Sequence, residues 1–180
     1  VITGIAPVHL ERMKTLENIL DAKTEIVELA GSVVINGDDE LLLNEARLWT
    51  NHKNVYDCST TSKEAAVYVE HKNNTHNIYI AGNFVGKVNG PKLLQLSISL
   101  SVGVLLALEL NIKEYLKNLD SLEKTEHRQN IVISDYGHSI IDNSFNSNPM
   151  GIEYSLETLS ELGTKDSKRY LITPGLIELG

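Results

Sequence analysis

Polar residues gather behind three apolar runs of this chain. Val1 to Ile5 leads into Pro7, His9 and Glu11. Val33 to Ile35 leads into Asn36, Asp38 and Asp39. Ile140–Ile141 leads into Asp142, Asn143, Asn146 and Asn148. In open α/β sheets ligands collect at the carboxyl ends of strands, so the three clusters fit a site for a polar ligand. Asp and Asn also cap helices and make turns, and on pattern alone that structural reading is the stronger one. No self-sufficient catalytic motif accompanies the clusters: there is no Gly-x-x-x-x-Gly-Lys-Ser/Thr phosphate loop, no Cys-x-x-Cys, no His-Glu-x-x-His and no Gly-x-Ser-x-Gly. Gly86–Lys87 lacks both the earlier glycine and the following hydroxyl.

Alternating strands and helices must position these residues. Val1 to Ile5 reads as a buried strand. Leu16 to Leu29 carries apolar residues at near-helical spacing up to Gly31. Ser32 to Ile35 is a β-branched run ended by the Asn36-Gly37-Asp38-Asp39 turn, and Glu40 to Trp49 follows as a helix. Val55–Tyr56, Ala66 to Val69, Asn77 to Ala81 and Phe84 to Val88 read as short strands of a meander. Pro91 opens a long apolar helix, and the charged stretch from Leu116 to Arg128 can hold a linker. Ile131 to Ser134 and Ser139 to Ile141 form a hairpin around Asp135-Tyr136-Gly137-His138. A helix runs from Asn148–Pro149 to Leu162, and Tyr170 to Thr173 is a last strand. The pattern predicts an α/β fold with a mixed sheet, a first domain over 1–125 and a second over 126–180.

The chain has 180 residues, is 42% hydrophobic and carries a net charge of −8, which argues against general binding to nucleic acid. Leu93 to Leu110 is apolar enough to suggest a membrane span, but Gln95, Ser97, Ser99, Ser101 and Glu109 interrupt it, so a buried core helix is expected. The start has no basic leader, and both ends look like places where a longer chain is cut. Cys58 is the single cysteine, has no activating neighbours and suits a reducing cytosol.

Several segments in order resemble the Mur ligase family. Ile2-Thr3-Gly4-Ile5-Ala6-Pro7-Val8-His9-Leu10-Glu11 and Thr15-Leu16-Glu17-Asn18-Ile19 are similar to its central domain. Ala22-Lys23-Thr24-Glu25-Ile26 resembles its lysine segment, and Asn36-Gly37-Asp38-Asp39 its Asn-x-Asp-Asp turn. His127–Arg128 looks like the arginine that opens its carboxyl-terminal domain. Ile140 to Pro149 is similar to the Asp-Asp-Ser-Tyr-Asn-Ala-Asn-Pro signature of the member that adds D-alanyl-D-alanine, and Thr173 to Gly180 completes the set. The resemblance spans residues 2 to 180. It implies the latter part of a central ATPase-type domain and the start of a Rossmann-like carboxyl-terminal domain.

The resemblance implies ATP-dependent amide-bond formation in peptidoglycan precursor synthesis. ATP and Mg2+ are its cofactors, and a UDP-linked muramyl tripeptide and D-Ala-D-Ala its partners. It also implies a cytoplasmic monomer with no nucleic-acid or membrane partner. Lys23 matches the lysine that becomes carbamylated and binds magnesium, a change that burial would favour. His9 matches a histidine that ligates a second magnesium, Asn36 a reader of the adenine edge, and Arg128 a phosphate clamp. Asp142 and Asn143 match the pair that holds the ribose. Here Asn143 replaces the usual carboxylate and Phe145 the usual tyrosine. The phosphate loop is expected upstream of Val1, so this chain alone is expected not to turn over ATP. Two other readings stand beside this one: a sister Mur or folylpolyglutamate-type amino-acid ligase, and a non-catalytic nucleotide-binding domain.

Overall fold

A computed structural model describes residues 1–7, 10–51, 53–119, 127, 130–145 and 149–175, without the side chain of residue 150. The chain divides into two compact units. One comprises residues 1–7 and 13–122, the other 8–12 and 123–180. A single helical turn, α1 (Leu10–Met13), precedes the first long helix.

The first unit is built on a five-stranded mixed sheet in sequential order. Its strands are β1 (Ser32–Asn36), β2 (Asn54–Ser59), β3 (Val67–Lys72), β4 (Thr75–Ile80) and β5 (Asn83–Asn89). The first three run parallel, with Val34 beside Tyr56 and Cys58 beside Val67. β3, β4 and β5 form the expected antiparallel meander. The α/β fold with a mixed sheet is therefore as the sequence predicts.

β1 is apolar over its three central residues, Val33 to Ile35, because both its faces are covered, the situation in which strands lose their alternation. Val34 joins a core with Cys58, Val67, Val69 and Ile78. Val33 and Ile35 join the opposite core with Ile2, Leu42 and Ala46. The helix α3 (Glu40–Trp49) supplies Leu42 and Ala46. The helix α4 (Gln95–Ala107) lies across β1, β2 and β3. Gly103 lets it approach: a Cβ there would collide with Cys58 Sγ and lie 2.8 Å from Val34 Cγ1. The polar side chains of α4 are satisfied nearby. Ser99 and Ser101 donate to Leu96 O and Ser97 O, and Gln95 Nε2 donates to Val69 O at 2.7 Å. Among the described residues no helix is long and apolar enough to cross a membrane. Burial pushes the Cys58 thiol, with Asp57 adding to it, up to about 12, so it is inert packing.

Four expectations need correction. Val1 to Ile5 is not a strand but a single parallel bridge from Ile2 to Ile35. The helix α2 (Leu16–Thr24) stops at Thr24, and Glu25–Leu29 tightens into a 3-10 turn. The first residues of the charged stretch, Leu116 to Leu119, are helix rather than linker. Ile112, Leu116 and Leu119 are spaced to line one face, and α5 (Ile112–Leu119) buries Leu116 against β5. Tyr170 to Thr173 is not a strand: Ile172 is 95% exposed and no described strand pairs with it.

The second unit holds the predicted hairpin, β6 (Asn130–Ile133) against β7 (Ser139–Asp142), and the helix α6 (Pro149–Leu162) beside β7. Gly137, at φ +77°, makes the turn. Arg169 satisfies the end of α6 by donating to the carbonyls of Leu159, Ser160 and Thr164.

Candidate functional site

Three consecutive residues of the amino-terminal segment are each held at a backbone group by a side chain from one of two candidate motifs. Asn36 Nδ2 donates to Thr3 O at 3.2 Å. Lys23 Nζ donates to Gly4 O at 2.8 Å. Ile5 N donates to Asp39 Oδ2 at 2.6 Å. Lys23 comes from the last turn of α2, and Asn36 and Asp39 from the turn after β1. Gly4 sits at φ +153°, and a Cβ on it would lie 3.4 Å from Asp39 Oδ2 and 3.8 Å from Asn36 Nδ2. The glycine thus lets residues 3–5 thread between the two elements.

The Asn36–Asp39 turn is itself rigid. Asn36 Oδ1 accepts from Asp38 N at 3.0 Å, which leaves one amide hydrogen and one lone pair of Asn36 for another partner. Asp39 Oδ1 caps α3 by accepting from Leu42 N at 3.1 Å. Asp38 accepts from Ser59 Oγ at 2.5 Å, Thr60 N at 2.8 Å, Thr60 Oγ1 at 2.6 Å and Thr61 Oγ1 at 2.7 Å. Partial burial pushes its carboxyl up, but the hydrogen bonds from Ser59, Thr60 and Thr61 outweigh that and hold it below the usual range. The turn after β1 is thereby locked to the loop after β2. The sequence signal for that loop, four successive hydroxyl residues from Ser59 to Ser62 behind an apolar strand, is a fourth cluster of the same kind as the other three.

Lys23 is exposed, not buried as the carbamylation reading expects. Neither Asp38 nor Asp39 has a carboxylate oxygen without a donor, and among the described residues no three His, Cys, Asp or Glu side chains assemble as a metal site. In the second unit, Asp142 accepts from His127 Nδ1 at 2.7 Å and from the Ser144 backbone and hydroxyl. Those bonds, Ser144 first and His127 next, hold its carboxyl below the usual range. Asn143 turns the other way. Its amide donates to Ser155 Oγ at 3.0 Å and Gly151 O at 3.3 Å, fastening the end of β7 to α6. His127 is the partner that sequence reasoning passed over in favour of its neighbour. His9, Arg128, Asn146, Asn148 and Thr125 lie outside the described residues.

Known proteins give this geometry a context. The chain is 25% identical over 191 residues to the UDP-N-acetylmuramoyl-tripeptide–D-alanyl-D-alanine ligase of Bacillus subtilis (strain 168), covering 100% of this chain and 40% of that protein. The chain thus spans about two fifths of the relative's length. A crystal structure of MurF ligase from Thermotoga maritima in complex with ADP superposes with a TM-score of 0.72 at 20% identity, covering 88% of this chain and 38% of that one. A MurF structure from Acinetobacter baumannii gives 0.73 at 19%, covering 90% and 38%. The two structures establish a shared fold. A family model, the Mur ligase middle domain, matches residues 1–98. That match takes in more than half of the 180 residues, and the chain belongs to the Mur ligase family.

Proposed function

We propose that this chain is part of an ATP-dependent ligase that adds D-Ala-D-Ala to a UDP-linked muramyl tripeptide. Residues 1–125 are the latter part of its central domain, and 126–180 the beginning of its carboxyl-terminal domain. The observation that carries the reading is the grip of Asn36, Lys23 and Asp39 on Thr3, Gly4 and Ile5. It sets the lysine and the amide that the family resemblance assigns to chemistry against one three-residue segment. The Bacillus subtilis relative's substrates and the ADP in the Thermotoga maritima relative support the substrate and nucleotide assignments.

In such a reaction a carboxylate attacks the terminal phosphorus of ATP, ADP departs, and the acyl phosphate is attacked by the incoming amine with loss of phosphate. Both steps gather negative charge, which preorganised donors and cations stabilise. Asn36 retains a free N–H and a free lone pair, the pair of functions an adenine edge requires. Lys23, once its neutral amine has added carbon dioxide and lost a proton, keeps one N–H. The contact with Gly4 O can then persist while two anionic oxygens are presented outward. Those oxygens suit magnesium, whereas the carboxylates of Asp38 and Asp39 are already occupied. Lys23 would hold one such ion and His9 a second, and the role of each when bound is to neutralise phosphate charge. Arg128 would clamp phosphate, and Asp142 and Asn143 would meet the ribose, Asn143 through its carbonyl because its amide is spent on α6. Lacking a phosphate loop in its sequence, the chain alone does not turn over ATP.

The test is phosphate release by the full-length protein carrying these residues, with ATP, magnesium, the UDP-linked tripeptide and D-Ala-D-Ala, beside Lys23→Ala. Release that needs the dipeptide and falls at least a hundredfold in the variant is expected. Release with a different amino acid instead would reassign the chain to a sister ligase, and none with any acceptor would leave a binding domain.

A further inference from the structure

A buried histidine lies outside the candidate site. His76, on β4, is fully buried. Its Nε2 lies 3.1 Å from Pro91 O, and its Nδ1 has no hydrogen-bond partner. Its neighbour across the β3–β4 pairing is His71, with ring centroids 4.7 Å apart. His71 Nε2 lies 3.3 Å from Gly90 O. Carbonyl oxygens only accept, so both rings donate from Nε2, and His76, fully buried with no acceptor at Nδ1, is neutral there. The two carbonyls belong to consecutive residues, and those residues carry the chain from β5 into the 3-10 turn Lys92–Leu94 and then α4. The space is tight: a Cβ on Gly90 would lie 3.3 Å from Leu94 Cδ1 and 3.5 Å from His76 Nε2.

We propose that the His71–His76 pair is an acid-released latch, in which two imidazoles hold the β5-to-α4 junction by Gly90 and Pro91 and protonation of the buried ring frees the amino end of α4. A proton added at His76 Nδ1 would place a charge with no acceptor in a fully buried position beside a second imidazole. Such a charge is costly, and the relief available is to expose the ring, which breaks the bond to Pro91.

Few groups can compensate. From β3 the facing titratable group is His71, while Glu70 and Lys72 alternate to the other face. From β5 the partner is Val88, with Lys87 on the other face. The turn supplies only the exposed Lys92, and α4 contains no charged residue. Burial, and after it His71, lowers the His76 pKa, which the carbonyls of Pro91 and Gly90 only partly oppose. With the folded value below the unfolded one of about 6.5, the latch is complete above that pH and is lost as pH falls from it through the folded value.

Amide hydrogen exchange of residues 94–98, corrected for intrinsic rates and followed from pH 7.5 to 5, tests this in the 180-residue chain. His76→Gln, which can still donate to Pro91 but does not titrate, is the control. In the parent chain the opening equilibrium at the junction is expected to rise by up to about tenfold per pH unit below about 6.5, and to stay flat in the variant. If the variant does not fold, an imidazole NMR titration of the parent chain decides. His76 and the junction amides should shift with one midpoint. An unchanged junction down to pH 5, an equal slope in His76→Gln, or His76 titrating without the junction would overturn the proposal.

Discussion

The sheet of the first unit and the hairpin of the second are built from similar residues and end in different states. β1 and β3 bury Ile35, Val67 and Val69 completely, whereas Ile131, Val132, Ile133 and Ile140 of β6 and β7 are 38%, 41%, 67% and 46% exposed. The sheet has helices on both faces of β1; the hairpin has two strands, with α6 along one of them. A β-branched run thus specifies a strand, but burial depends on what covers it, and a two-stranded ribbon alone is marginally stable. The candidate site follows the same division. Asn36, Lys23 and Asp39 are fixed by a cored framework, whereas Asp142 and His127 form an exposed pair of little energetic weight.

The contrast can be broken most forcefully at Asp38. Asp38→Ala removes a carboxylate bound by four donors and leaves the fully buried Ser59 hydroxyl without its acceptor. Denaturant unfolding monitored in the first unit should show a loss of roughly 3 kcal/mol, with the β6–β7 amides unaffected. The same carboxylate gives a pH signature. Its folded pKa is below the unfolded value of about 3.9, so its contribution is present above that pH and lost as pH falls below it. Asp38→Asn should flatten that limb.

Gly103→Ala should cost about 2 kcal/mol by overpacking α4 on Cys58 and Val34, a loss readable in the thermal midpoint. Asn143→Asp brings the residue the family usually has, yet it replaces a donor to Gly151 O with a second acceptor. A loss of about 1 kcal/mol, confined to exchange at β7 and α6, is expected. Ile133→Thr should change stability by less than about 0.5 kcal/mol, since its side chain is already in solvent. A comparable change at Ile35, which has no exposed surface, would cost several times as much.

Most elements of both units were legible because their signals are local. α3 runs from Glu40 to Trp49 as its cap and spacing predict, and the hairpin turn at Gly137 needs no long-range information. The segments read differently from the structure depended on partners. Val1 to Ile5 has a strand's composition but pairs with β1 only at Ile2 and is otherwise tied by side chains, and its Gly4 at φ +153° interrupts extended pairing. α5 was hidden because its three charged residues, Lys113, Glu114 and Lys117, match in number the three apolar positions that dock it. In the site, Lys23 and Asn36 were nameable from their motifs. Their convergence on Thr3 and Gly4 was not, because the spacings of 19 and 33 residues carry no periodic signal. The role of Asp38 as a clamp on Ser59 to Thr61 was hidden in the same way behind ordinary turn composition.

The central claim is that Lys23, held at Gly4 beside the Asn36 turn, is a reactive amine of a ligase site. Carbon-13 NMR of the full-length protein with labelled bicarbonate, magnesium and nucleotide at mildly alkaline pH tests it directly. A carbamate carbonyl signal is predicted in the parent protein and absent in Lys23→Ala. A parent protein without that signal, or one whose signal survives the substitution, would contradict the assignment.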